Sequence, residues 1–207
     1  MQRLTNERRK NIMNYSKDTI SKIGNAIVYL SERVSPNLSK TKLLKLLYLI
    51  EEQSVITNKI PFFGIDFQVW RLGPVAKEIY ADFSEEPTLL KNYINREVGS
   101  DGNIYIHAKS KFNDDEFSDA DIEIMDNVIA KYGNKNGRQL VNITHKKGTA
   151  WHYFAEKNNL LPMFENDLQN TSDVEIDFNY YLAKCESEFY HETLQMHRHF
   201  EVLKNNV

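Results

Sequence analysis

Apolar side chains along this chain recur mostly at helical spacing. Ile20, Ile23, Ile27 and Leu30 share one face of a helix expected from an Asp18 N-cap to about Arg33, and Pro36 breaks it. Ser39 caps a second expected helix. Leu43, Leu46, Leu47 and Ile50 form its apolar stripe, with Lys42 and Lys45 on the other side, and the pattern runs to about Val55. Residues 67–70 alternate as a half-buried strand does. Gly73 then permits a backbone conformation that a Cβ resists, and Pro74 suits the first position of a helix carrying Val75, Ile79 and Phe83. Residues 88–98 read as a short helix and 99–102 as a turn. Residues 103–108 read as a second strand able to pair antiparallel with the first.

Further along, Ser118 to Asp121 open a helix with Ile122, Met125, Val128 and Ile129 on its buried face and Gly133 at its end. Asn136 or Gly137 opens another, carrying Leu140, Ile143 and Thr144, and Gly148-Thr149 separates it from a helix over 150–156. Residues 158–173 read as loop, followed by segments 177–183 and 186–203. The predicted fold is mainly α with a small antiparallel β element, an α+β class. It comprises an N-terminal arm over 1–16, a compact helical domain over 17–157 and a mainly helical extension over 158–207. Two strands alone are marginal, so helix packing must supply most of the stability.

The 207 residues are 41% hydrophobic and 12% aromatic, enough for an ordinary core. No apolar run approaches the roughly 20 residues of a membrane span. The single cysteine, Cys185, excludes an internal disulfide and fits a reducing cytoplasm. The net charge of −3 conceals an asymmetry. Residues 1–48 carry ten Lys/Arg against three acids, a net +7 that leaves −10 for the rest. A basic face for nucleic acid, using Arg8-Arg9-Lys10 with Lys42 and Lys45, is one reading, and two oppositely charged neighbouring regions are the other.

No Gly-rich phosphate loop, HExxH, CxxC or activated-serine pattern occurs, so neither catalytic nor metal-binding residues are assigned and no cofactor is implied. His145, near Thr144 and Trp151, has no nucleophile or metal to serve as a general base and reads as a structural histidine. His191, His197 and His199 lie six and two residues apart, spacings that put them on different faces of a helix. Trp70, Arg71 and Tyr80 are residue types that anchor interfaces, with core packing the competing reading for the two aromatics. The extension from residue 160 has nine acids against three bases, and its Phe178, Tyr180, Tyr181, Phe189, Tyr190 and Phe200 suit either docking on the core or a partner surface.

Four blocks, in order, resemble the Panacea domain, the SocA-like antitoxin domain of bacterial and phage toxin–antitoxin systems. TKLLKLLY at 41–48 is similar to the family's KLxKLLY helix. FQVWRLGPV at 67–75 is similar to FxAWxxGPV, with Tyr80 at the tyrosine that follows. Residues 124–133 end in the family's YG, and Leu140, Thr144-His145 and Trp151 are similar to LSxxTHxxxPW. Val69 stands for the usual Ala, Ala150 for the usual Pro, and Lys146-Lys147 for a site often acidic. The resemblance covers residues 20–155. It implies a cytoplasmic antitoxin that neutralises a toxin encoded nearby by direct binding, in one branch also as an adaptor delivering the toxin to a protease. Tyr48, Trp70, Gly73, Pro74, Tyr80, His145 and Trp151 are then motif and scaffold positions, and Lys42, Lys45, Arg71 and Lys77 the candidate partner contacts.

Overall fold

Helix α1 (Lys17–Arg33) and helix α2 (Lys40–Asn58) begin the fold in a computed structural model that describes residues 15–34 and 38–187. The cap of α1 is Ser16, whose hydroxyl accepts from the Thr19 N–H, rather than Asp18, which instead lies in the first turn facing the helix dipole. Ser39 caps α2 as expected, and Lys59, in the left-handed region, ends it. Leu43 through Glu51 are buried without interruption, so α2 has no solvent face over those nine positions. This overturns the amphipathic reading of that helix. The other elements surround it, and Lys42, Lys45 and Glu51 are enclosed with its leucines.

The strands pair differently from the sequence expectation. β1 (Gln68–Trp70) pairs with β2 (Gly73–Val75), aligning Val69 with Pro74. Pro74 therefore lies in a strand, and helix α3 (Lys77–Ser84) begins three residues later, after an Ala76 N-cap. The segment read as a short helix contains strand β3 (Ile94–Val98), which pairs antiparallel with β4 (Ile104–Ala108) across the 99–102 turn. The β-branched Ile94 and Val98 fit this pairing, and the short turn makes closure on β3 cost less entropy than closure on the sequence-distant β1. The result is a mainly α fold with two small antiparallel sheets.

Helix α4 (Asp119–Tyr132) has a Ser118/Asp121 capping box and ends at Gly133, and α5 (Gly137–Thr144) starts from an Asn136/Gln139 capping box. α6 (Ala150–Lys157) follows a Thr149 cap. Ala150 occupies the first helical position, where a proline would fit equally well. The expected loop over 158–173 contains a further short helix, α7 (Leu160–Glu165), with Pro162 in its first turn. Residues 170–176 then run along the free edge of β1. Arg71 N–H donates to the Asn170 carbonyl, Val69 N–H to Val174, and Ile176 N–H to Phe67. The chain through Ile176 thus forms one unit, which extends past residue 157. A second unit starts at Asp177, and its described part is helical over 178–187. Most of the N-terminal arm, with Arg8-Arg9-Lys10, lies outside the described residues, as do Phe189, Tyr190, Phe200 and the three C-terminal histidines.

Gly73 is required where it stands. Its φ is +95°, and a Cβ there would lie 2.8 Å from Lys45 Cε and 2.9 Å from Thr144 Oγ1. Gly64 has φ +65° but nothing within 4 Å of its added Cβ. Urea melts should show Gly64→Ala losing only the backbone cost of about 1–2 kcal/mol. Gly73→Ala should lose more, because neighbouring buried groups must also shift. Equal losses would mean that close packing contributes nothing at Gly73.

Candidate functional site

The turn between β1 and β2 is fixed through its carbonyl oxygens. Trp151 Nε1, on α6, donates to the Trp70 carbonyl at 3.0 Å, and Lys45 Nζ, on α2, donates to the Pro74 carbonyl at 2.7 Å. His145 Nε2, at the C-cap of α5, lies 2.9 Å from the Arg71 carbonyl. Side chains from α2, α5 and α6 thus hold one five-residue stretch, Trp70 to Pro74. The remaining motif residues support this clamp. Tyr48 is fully buried with its ring edge-on to Phe67 at 5.3 Å, and Trp151 packs against the His145 ring at 3.7 Å. Trp70 is half-buried rather than core, its ring edge-on to Tyr80 at 4.9 Å and its Nε1 shared between Gln68 Oε1 and the Ser172 carbonyl.

The electrostatics of the clamp are unusual. Lys45 is 1% exposed, no carboxylate among the described residues forms an ion pair with it, and burial depresses its pKa to about 7. His145 has carbonyls on both ring nitrogens, Val141 at 2.6 Å from Nδ1 and Arg71 at Nε2. A neutral imidazole can donate to only one of them. Burial nevertheless lowers the His145 pKa, with the two carbonyls opposing and Lys45 reinforcing that direction. On the same helix as Lys45, Glu51 accepts from the N–H groups of Phe63 and Gly64 at 2.6 and 3.3 Å. Burial raises its pKa to about 7 against those bonds.

The candidate contact residues separate on inspection. Lys42 and Lys45 are buried, not on a solvent face, because α2 is enclosed. Lys42 Nζ donates to the Gly133 carbonyl at 2.7 Å. A phosphate contact by Lys45 is thereby closed off. Arg71 is partly exposed and bridges to Asp167 and to Asn170 Oδ1, and Lys77 is exposed beside Asp173 at 3.6 Å. The residue that sequence reasoning passed over is Leu72, 62% exposed at the tip of the clamped turn. Its signal was an aliphatic side chain placed inside a Gly-Pro turn, where polar residues are usual. Among the described residues, no three His, Cys, Asp or Glu side chains gather as metal ligands. None of the described helices is long and apolar enough to cross a membrane.

Fold and site define an α+β domain whose signature residues converge on one rigid, surface-displayed turn. The model of the family described as antitoxin SocA-like, Panacea domain, matches residues 43–152, just over half of the chain, and the chain belongs to that family. Lys45, Tyr48, the whole turn, His145 and Trp151 all fall inside the match. Comparison with curated proteins found no match, and comparison with solved structures found none. The family supports a toxin–antitoxin role and implies a toxin partner in general.

Two of the buried charges on α2, Lys45 and Glu51, predict opposite pH effects. Lys45 has a folded pKa below its unfolded value. Its contribution is fully present above about 10.5, and stability declines as pH falls from there towards about 7. Glu51 has a folded pKa above its unfolded value. Its contribution is fully present below about 4.5 and is lost as pH rises through about 7. Denaturant melts across pH should therefore show Lys45→Met flattening the alkaline limb and Glu51→Gln the acidic one. Each change in slope should reach up to about 1.4 kcal/mol per pH unit. Unchanged slopes in either variant would refute that assignment.

Proposed function

We propose that this protein is an antitoxin that neutralises its cognate toxin by direct protein–protein contact, with the β1–β2 turn at the centre of the contact surface. The observation that carries this reading is the clamp on the carbonyls of Trp70, Arg71 and Pro74, because it spends buried polar groups on holding an exposed leucine still. A fixed apolar tip loses little conformational freedom on binding, which favours it as an anchor. Arg71 immediately precedes the tip and Lys77 opens the helix after β2, and pairing with Asp167 and Asp173 tethers these two long side chains. Lys45, Tyr48, Trp70, Gly73, Pro74, Tyr80, His145 and Trp151 serve as scaffold in this reading. The mode of action is binding rather than catalysis, and any delivery of the toxin to a protease would act on the same complex.

The test is co-expression with the product of the adjacent reading frame, scored by growth and by co-purification. Leu72→Asp should reduce recovery of the complex about ten-fold or more while shifting stability by no more than about 0.5 kcal/mol, as expected for an exposed position. Trp151→Ala should lose binding together with about 3–5 kcal/mol of stability. Full binding by Leu72→Asp would remove the turn from the interface. If the unmodified pair forms no complex, direct neutralisation fails.

A further inference from the structure

Beside the turn lies an open cavity of about 740 Å3, with Leu72 on its lining. The size falls within the range of about 300–1,000 Å3 typical of sites that take a small molecule or a few side chains. Its charge is one-sided. Lys42, Lys135 and Arg138 line it, and no aspartate or glutamate does. Among the described residues none of the three forms an ion pair. Lys42 is held at the wall by the Gly133 carbonyl, which leaves its positive charge uncompensated. Asp101 accepts from two lining residues, the Tyr105 hydroxyl and Asn103, but does not itself line the cavity.

The backbone adds to this field. Helices α2 and α5 both begin at the cavity, through Ser39 and through Asn136 and Gly137, and neither has an acidic residue in its first turn. Elsewhere α4 offsets the same partial positive charge with Asp119 and Asp121. Two helix starts and three cations with no ion pair among the described residues therefore line one concavity, and an exposed leucine stands on its lining.

We propose that this cavity receives an acidic segment of the toxin, with an apolar residue of that segment against Leu72. The inference rests on the reading above and specifies the chemistry of the partner. A free anion would use the cations but leave Leu72 idle. A nucleic-acid duplex is too broad to enter a concavity of this size. A peptide carrying carboxylates next to an apolar side chain satisfies both halves of the lining.

The experiment measures affinity for the purified product of the adjacent reading frame at about 50 mM and about 500 mM salt. It uses the full chain, its Lys135→Glu/Arg138→Glu double variant, and a Lys91→Glu control that changes an exposed charge elsewhere. The double variant should bind about ten-fold or more weakly at low salt, the control should bind normally, and added salt should weaken the wild type far more than the double variant. Wild-type affinity in the double variant at both salts would overturn the inference while leaving direct neutralisation standing. A wild-type affinity insensitive to salt would overturn it even if the double variant misfolds. Displacement of the toxin by a DNA duplex from the wild type alone would reassign the cavity to nucleic acid. Absence of any wild-type complex would sink both readings.

Discussion

A buried ammonium group with no counter-ion among the described residues holds this fold's main surface feature in place. Removing a lysine charge from water costs several kcal/mol, and here one backbone carbonyl, that of Pro74, is its hydrogen-bond acceptor. The depressed pKa expresses that cost, since near neutrality the group is partly deprotonated. Gly73 follows from the same constraint, because the lysine stem and Thr144 occupy the space a Cβ would need. Trp151 and His145 then fix the carbonyls on the other side of the turn. The position of Leu72 is over-determined by contacts that are all internal.

The legibility of the chain followed the burial of its elements. Helix caps at Ser39, Ser118 and Asn136 could be read from sequence because they are local hydrogen bonds between residues three apart. The 94–98 strand could not, since its conformation is set by the hairpin to 104–108 and its apolar residues fit a helix pattern equally well. The lysines of α2 were misread for a related reason. A Leu-Leu-Lys-Leu-Leu pattern implies a solvent face only if neighbouring elements leave one, and periodicity carries no information about neighbours. The motif positions were recognisable, but their common purpose was not. Trp151 and Trp70 are 81 residues apart, and only the fold shows that one donates to the carbonyl of the other.

Two kinds of cation have been sorted by this structure. Lys45 is spent on architecture, and its charge never reaches the surface. Lys135 and Arg138 contribute nothing evident to folding, and Arg71 and Lys77 are tethered at the rim by Asp167 and Asp173. The basic excess of the first 48 residues is thus a poor guide to function, since Lys45 is interior and Lys42 reaches the cavity only as part of its wall. The other two cations that line the cavity with Leu72, Lys135 and Arg138, come from elsewhere in the chain.

The stretch 170–176 lies outside the region matched by the family model, yet it completes the outer edge of β1 and supplies Asn170, Ser172 and Asp173 to Arg71, Trp70 and Lys77. The region matched by the family model and the compact unit consequently have different ends. A fragment stopped at residue 152 would expose the N–H groups of Val69 and Arg71 on an open strand edge, an invitation to self-association. The same arrangement gives evolution a separable handle. Exchanging this strap would re-dress the rim of the turn without replacing the three donors of the clamp, Lys45, His145 and Trp151, which all lie outside it.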